Sequence, residues 1–377
     1  MSDLDAAMLD MGRRARAAAD ALRATTPDDR TEALRRLATA LRAAETDILS
    51  ANARDVARAR EGGLTEALID RLALTPARIE GMAVAVETIA AQPDPVGAEM
   101  ARWTPANGLD IARVRTPIGV LAVIYESRPN VTADAAALCI RSGNAAILRC
   151  GSDCLDSSRA IAVVVARAVA EAGLPADAVQ LVPVPDREAV GAILSGLNGA
   201  VDLIIPRGGK SLVARIQAEA KAPVLGHLEG LCHTYLDAAA DLDVARRVTL
   251  NAKMRRVSVC GATETLLVDR AAAARLLPAV AADLINAGCE LRGDAEARAL
   301  VPGMGEAVEA DWATEYLAPV LSVRVVDGVD GAVAHIRAYG SGHTEAIVTN
   351  DEKAVDRFAE GVDSAIVLIN ASTQFAD

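Results

Sequence analysis

Cysteine and histidine placement is the first chemical signal in this chain. The cysteines at 139, 150, 154, 232, 260 and 289 form no CxxC pair and no even framework, a usage that suits reduced thiols rather than disulfides. Each is by default a small buried hydrophobe. Cys260 stands apart, because Arg255-Arg256-Val257-Ser258-Val259-Cys260-Gly261 reads as a loop between a helix and the strand Thr263 to Val268. Positive charge near a loop thiol favours the thiolate, which is the nucleophilic form. A packed, inert cysteine is the competing reading. His227, Cys232 and His233 could be drawn as metal ligands, but three groups within seven residues lack a fourth partner and regular spacing, so no metal is expected. His343, in Tyr339-Gly340-Ser341-Gly342-His343-Thr344, reads as a loop histidine, either functional or a hydrogen-bonding turn residue.

Anion binding is the second signal. There is no GxGxxG or Walker A pattern. Instead, Pro206-Arg207-Gly208-Gly209-Lys210-Ser211 follows the strand Val201 to Ile205 and opens a helix. It offers backbone N–H groups at a helix N-terminus beside two fixed positive charges. Arg149-Cys150-Gly151-Ser152, after the strand Ala145 to Arg149, repeats the device. Two such turns on adjacent strands would form a dinucleotide crevice, while solvated glycine-rich turns are the plain alternative.

These groups need elements to hold them. The first hundred residues read as helices, one opening at Thr26-Pro27-Asp28-Asp29 and stopping at Gly62-Gly63, another opening at Thr75-Pro76. Asn107-Gly108 marks a hairpin turn in an extended stretch near 101–117. From Ile118 the pattern alternates strictly between apolar runs and helical segments to about 225, which requires a doubly wound parallel sheet with ligands at the carboxyl ends of its strands. A second α/β cycle follows a linker at 225–240, with strands at Thr263–Val268, Leu317–Val326, Ala346–Thr349 and Ala365–Ile369. A net charge of −12 and only two Phe, two Trp and four Tyr argue against nucleic-acid or anionic-membrane binding. The amphipathic charged N-terminus reads as a helix without a signal peptide, which points to the cytoplasm.

The runs Tyr125-Glu126-Ser127-Arg128-Pro129-Asn130-Val131-Thr132-Ala133-Asp134-Ala135, Ser142-Gly143-Asn144-Ala145, Asp202 to Lys210, Tyr339 to Val348, Val362-Asp363-Ser364 and Asn370-Ala371-Ser372-Thr373 resemble the gamma-glutamyl phosphate reductase family of the aldehyde dehydrogenase superfamily. The resemblance spans essentially the whole chain. It implies an aldehyde dehydrogenase-like α/β fold, with a doubly wound parallel-sheet cofactor domain and N-terminal helices over 1–235. A second α/β catalytic domain over 236–370 and a return segment over 371–377 complete it. The hairpin near 101–117 would serve oligomerisation.

The implied activity is NADPH-dependent reduction of glutamyl 5-phosphate to glutamate 5-semialdehyde in proline biosynthesis. Cys260 would be the nucleophile, with Ser127 and Asn130 at the reacting carbonyl. Arg149, Gly151, Ser152, Arg207, Gly208, Gly209 and Lys210 would hold NADP(H) phosphates, and Glu315 the nicotinamide ribose. Arg128, His343 and Asn370 would contact substrate. A homo-oligomer and hand-over from glutamate 5-kinase are the implied partners.

The chain differs from the family pattern at several points. Val257-Ser258 stands where the family has Pro-Gly, and Gly261 where it has Asn. Gly226-His227-Leu228-Glu229-Gly230 replaces Glu-His-Gly-Asp-Gly, Cys150 replaces Gly, and Gln374 replaces Arg. The sequence stops at Asp377, inside a motif that in the family runs on, so an uncovered apolar groove is expected beside Ala365–Ile369, with lower stability and activity. Two other readings stay open: a weak or inactive relative with a binding or assembly role, and another acyl-phosphate or acyl-CoA reductase of the superfamily.

Overall fold

The computed structural model describes residues 2–376, so Asp377 of the expected return segment lies outside the described residues. The chain divides after Gly226 into two compact units.

In the first unit, Ser2 and Thr26 open the helices Asp3–Leu22 and Pro27–Ala43 through reciprocal capping boxes with Asp5 and Asp29. Each cap contributes about 1 kcal/mol. The helix expected to run on to Gly62 is in fact two, because the chain turns at Ala44 and restarts as Glu45–Glu61. No glycine or proline announces that break; Glu45 and Asp47 favour the new N-terminus through the helix dipole. Helices Glu66–Leu72 and Pro76–Ala91 follow. Strands β1 (Glu99–Trp103) and β2 (Ile111–Val114) form the expected antiparallel hairpin, with Gly108 at a φ of +80° in its connection.

A parallel sheet comes next, built from β3 (Val120–Tyr125), β4 (Ala145–Cys150), β5 (Val179–Leu181) and β6 (Leu203–Arg207). Helices Val131–Arg141, Leu155–Glu171 and Arg187–Leu194 connect them, and Lys210–Glu219 follows β6. Every residue of β3 and β4 is buried, which is why their sequence runs are continuously apolar. The strand order β5-β4-β3-β6 reverses direction between β3 and β6, the switch point of a doubly wound sheet. The two glycine-rich turns therefore do not follow adjacent strands, since β3 separates β4 from β6. The strand expected at Pro223–Leu225 reduces to one bridge, Ile204 to Val224.

The second unit holds a seven-stranded parallel sheet in the order β10-β9-β11-β8-β7-β12-β13. Its strands are β7 (Cys232–Leu236), β8 (Thr263–Asp269), β9 (Glu290–Gly293), β10 (Gly305–Glu306), β11 (Val320–Val326), β12 (Thr344–Val348) and β13 (Ile366–Ile369). The stretch expected to be a linker contains β7, which is buried throughout and lies between β8 and β12. Its polar residues hid it. His233 and Thr234 are buried by pairing with Glu345 and Thr263, so no apolar run marks the strand. The short strands β9 and β10 were also not expected. At the opposite edge β13 pairs with β12, its first three residues are half-buried and Ile369 is 48% exposed.

Candidate active site

Three loops at the amino ends of adjacent strands build the site in the second unit. Cys260 lies just before β8, Cys232 opens β7, and His343 immediately precedes β12. Because the sheet order is β8-β7-β12, these residues meet although they are far apart in the chain. The expectation of ligands at carboxyl ends does not extend to this sheet. Cys260 Sγ and one ring nitrogen each of His227 and His343 lie within 4.8 Å of one another. The two imidazoles stand edge to face, with centroids 4.7 Å apart. His343 Nδ1 pairs with Thr344 Oγ1 at 2.9 Å and lies 3.6 Å from Cys232 Sγ.

The thiols are sharply distinguished. Cys232 Sγ donates to the Cys260 carbonyl at 3.1 Å, and burial, reinforced by Glu345 and Cys260, pushes this thiol well above its ordinary range. Burial lifts Cys139 to about 12 and Cys289 to about 11. Five of the six cysteines are buried, and Cys260 alone is half-exposed. Arg255 and Arg256, expected to supply the charge near Cys260, are exposed, and the imidazoles of His227 and His343 are the groups beside its sulfur.

The nucleophile loop is held at both ends by residues that sequence reasoning missed. Lys253, in the last turn of helix Leu242–Met254, meets Glu264 of β8 at 2.5 Å, and both side chains are at most 2% exposed. Burial pushes the Glu264 carboxyl up to about 7, with Lys253 pulling against it. Buried Gln374 donates to the carbonyls of Ala252 at 2.9 Å and Arg256 at 3.3 Å, and Thr373 pairs with Thr263. The part of the return segment that is described, 371–376, thus braces the loop. Gly230 has no room for a side chain, since a Cβ would collide with the Cys260 carbonyl. Its N–H donates to Glu315 Oε1 at 2.9 Å, so Glu315, expected at a ribose, here fixes the backbone against Cys260. Asn370, expected at substrate, uses its amide to clasp the backbone of Thr349 in both directions and is not among the groups at Cys260.

The first unit gathers the other expected residues. At the switch between β3 and β6, a Cβ on Gly208 would lie 2.7 Å from Glu126 Oε2 and 2.7 Å from Leu212 Cδ2, so a side chain there would push both side-chain ends aside. The N–H of Gly209 donates to Glu126 Oε2 at 3.3 Å, so a carboxylate sits at the N-terminus of helix Lys210–Glu219. Arg207, Gly209 and Lys210 are exposed there, and nothing lies within 4 Å of a Cβ on Gly209. Arg149 is buried; it donates to the Pro185 carbonyl at 2.8 Å while its Nε has no partner. Gly151 precedes a 3-10 turn in which Ser152 is exposed. Ser127, at a φ of +51°, donates to Asp153. Asn130 donates to Asp134 at 2.9 Å, and burial raises the Asp134 carboxyl. Arg128 is half-buried. The orphaned Arg149 N–H and a helix N-terminus flanked by Arg207 and Lys210 fit a nicotinamide dinucleotide's phosphates once the Glu126 carboxylate gives way to them.

A parallel-sheet unit with a switch-point crevice, followed by a second parallel sheet presenting one accessible thiol, defines a thiol-dependent dehydrogenase class. The family model described as the aldehyde dehydrogenase family matches residues 3–301. The chain belongs to this family, whose members use a nicotinamide cofactor, and within it to the gamma-glutamyl phosphate reductases. A gamma-glutamyl phosphate reductase of Caulobacter sp. (strain K31) is 65% identical over 374 residues, covering 99% of this chain and 89% of that protein. The crystal structure of the Thermotoga maritima gamma-glutamyl phosphate reductase matches with a TM-score of 0.93 at 40% identity, over 98% of this chain and 89% of that one. An acetylating aldehyde dehydrogenase from Geobacillus thermoglucosidasius shares the fold, with a TM-score of 0.72 at 18% identity over 100% of this chain and 89% of that one. Among the described residues, no helix is long and apolar enough to cross a membrane.

Proposed function

We propose that this chain reduces L-glutamyl 5-phosphate to L-glutamate 5-semialdehyde with release of phosphate, in proline biosynthesis in the cytoplasm. The observation that supports this most directly is the single accessible thiol, Cys260, on a loop braced from both sides and flanked by two imidazoles. The neighbouring imidazoles accept its proton, and the thiolate attacks the acyl carbon. A C–S bond forms, the acyl C–O bond to phosphate breaks, and phosphate leaves with the electron pair. The reading assigns Ser127 and Asn130 as donors to the acyl oxygen, Ser127 by exchanging its Asp153 bond. Arg128 and His343 are assigned to the substrate. Asn370 joins them only by exchanging its Thr349 bonds.

When bound, the nicotinamide cofactor supplies hydride to the thioester carbonyl, and Cys260 is released as thiolate with the aldehyde. Because that cofactor would supply hydride, no residue need activate water, and Gly226 is tolerated where the family carries a carboxylate. Arg149, Gly151, Ser152, Arg207, Gly208, Gly209 and Lys210 are assigned to the cofactor's phosphates, and their three positive side chains favour NADPH over NADH. Glu315 is assigned to the ribose. The exposed hairpin β1–β2, with Met100, Trp103 and Val114 each more than 40% exposed, suits self-association into a homo-oligomer. An acyl phosphate hydrolyses readily, which favours direct hand-over from glutamate 5-kinase.

The test is NADPH oxidation with glutamyl phosphate generated in situ, with phosphate counted alongside. One phosphate released per NADPH oxidised, and none with Cys260→Ala, is the expected result. Turnover with acyl-CoA thioesters alone would show a different acyl donor.

A further inference from the structure

The cluster Cys260, His227 and His343 supplies one sulfur and two imidazole nitrogens within 4.8 Å of one another, all in the second unit. A set of one thiolate and two imidazoles suits a borderline-soft divalent cation rather than Mg²⁺ or Ca²⁺. The cluster also has the supporting features of a built site. His343 Nδ1 is engaged by Thr344 Oγ1 at 2.9 Å, which fixes the ring. The Cys260 backbone is held by Cys232 and pressed against Gly230, so the sulfur is presented from a fixed point. His227 is exposed, and tetrahedral spacing around metal bonds of about 2.0–2.3 Å requires the three atoms to close up by roughly 1 Å. His233, named with His227 and Cys232 in the sequence, is excluded: it lies buried on β7 with its Nδ1 on Glu345.

We propose that Cys260, His227 and His343 bind Zn²⁺, or Co²⁺ in its place, with a fourth position left to water, and that the bound ion masks the nucleophilic thiol reversibly. On binding, the S–H bond of Cys260 breaks, a sulfur–metal bond forms and the proton passes to solvent. The ion changes no oxidation state. Removing it by chelation returns the thiol.

The experiment titrates Co²⁺ alone into chelator-treated protein and follows absorption. The expected result is one equivalent bound, with a sulfur-to-cobalt charge-transfer band in the near ultraviolet and the strong visible bands of a tetrahedral ion. The charge-transfer band is lost in Cys260→Ser, and Co²⁺ binds His227→Ala at least about 10-fold more weakly. Zn²⁺ displaces Co²⁺ and slows alkylation of Cys260 by iodoacetamide, and EDTA restores the rate. Circular dichroism of both variants checks that they are folded. A spectrum without the charge-transfer band, the same band in Cys260→Ser, or wild-type affinity in folded His227→Ala overturns the site. None of these readouts uses glutamyl phosphate turnover, so they stand or fall separately from the proposed reaction.

Discussion

Lys253 and Glu264 face each other at 2.5 Å, fully buried, across the base of the loop that presents Cys260. One closes the helix before the loop and the other opens the strand after it, so the pair ties the loop's two flanks together. Removing one partner of a buried pair leaves an uncompensated charge, at a cost of about 3–5 kcal/mol.

Lys253→Met is therefore expected to lose stability in a pH-dependent way. Burial already raises the Glu264 carboxyl to about 7, and losing the ammonium raises it further. A carboxyl whose folded pKa exceeds its unfolded one binds more protons in the folded state, so stability falls as pH rises between the two values. The variant's deficit should be larger at pH 8 than at pH 5. Urea melts at both pH values measure it, and an equal deficit at both would contradict the buried-charge account.

Cys260→Ala should lower kcat by about ten-thousand-fold while changing stability by less than about 1 kcal/mol. The side chain is half-exposed, and the Cys260 backbone carbonyl accepts from Cys232, so the loop keeps this tie when the sulfur is removed. Wild-type turnover in this variant would remove Cys260 from the mechanism.

Alkylation should find one fast thiol among six. Burial keeps the other five from solvent, and the raised positions of Cys139, Cys232 and Cys289 keep those thiols protonated. Mass mapping after brief iodoacetamide treatment of the metal-free protein should show Cys260 modified first; a second site labelled equally fast would contradict the burial pattern.

Gln374→Ala removes the donor shared by the Ala252 and Arg256 carbonyls. A loss of about 1–3 kcal/mol is expected, together with a fall in kcat larger than any rise in KM, because the loop that aims Cys260 loses its brace. Unchanged kcat would mean that Lys253 and Glu264 hold the loop alone.

Gly208→Ala tests the cofactor crevice. The new methyl would meet the ends of Glu126 and Leu212, both at 2.7 Å, and crowd the turn whose N–H groups are assigned to the phosphates. The KM for NADPH should rise roughly tenfold, about 1.4 kcal/mol, with little change for the acyl phosphate. Equal effects on both ligands would count against the assignment.

Much of the architecture was legible because apolar period and capping residues report it directly. The buried runs of β3 and β4, the Thr26 cap and the Asn107-Gly108 hairpin all read true. β7 did not, because a central strand made of Cys, His, Thr, Tyr and Leu buries its polar groups against partners that are distant in sequence. The roles of Lys253 and Glu264 were invisible for the same reason, since a lysine near a helix end reads as solvated until its counter-charge is known, and Gln374 was noted only as a departure from the family pattern.

The sequence alone determined the alternation of buried strands and helices in the first unit, the glycine-rich turns and the thiol in a loop. Those are local properties of side-chain size, backbone freedom and hydrophobic period. Only the tertiary structure decided which loops meet. Placing β7 between β8 and β12 puts Cys232 and His343 beside Cys260, while alternation along β7 sends His233 into the core. Strand neighbours stand about 4.8 Å apart whatever the length of chain between them, so the order of strands, which no local pattern encodes, sets the company that Cys260 keeps.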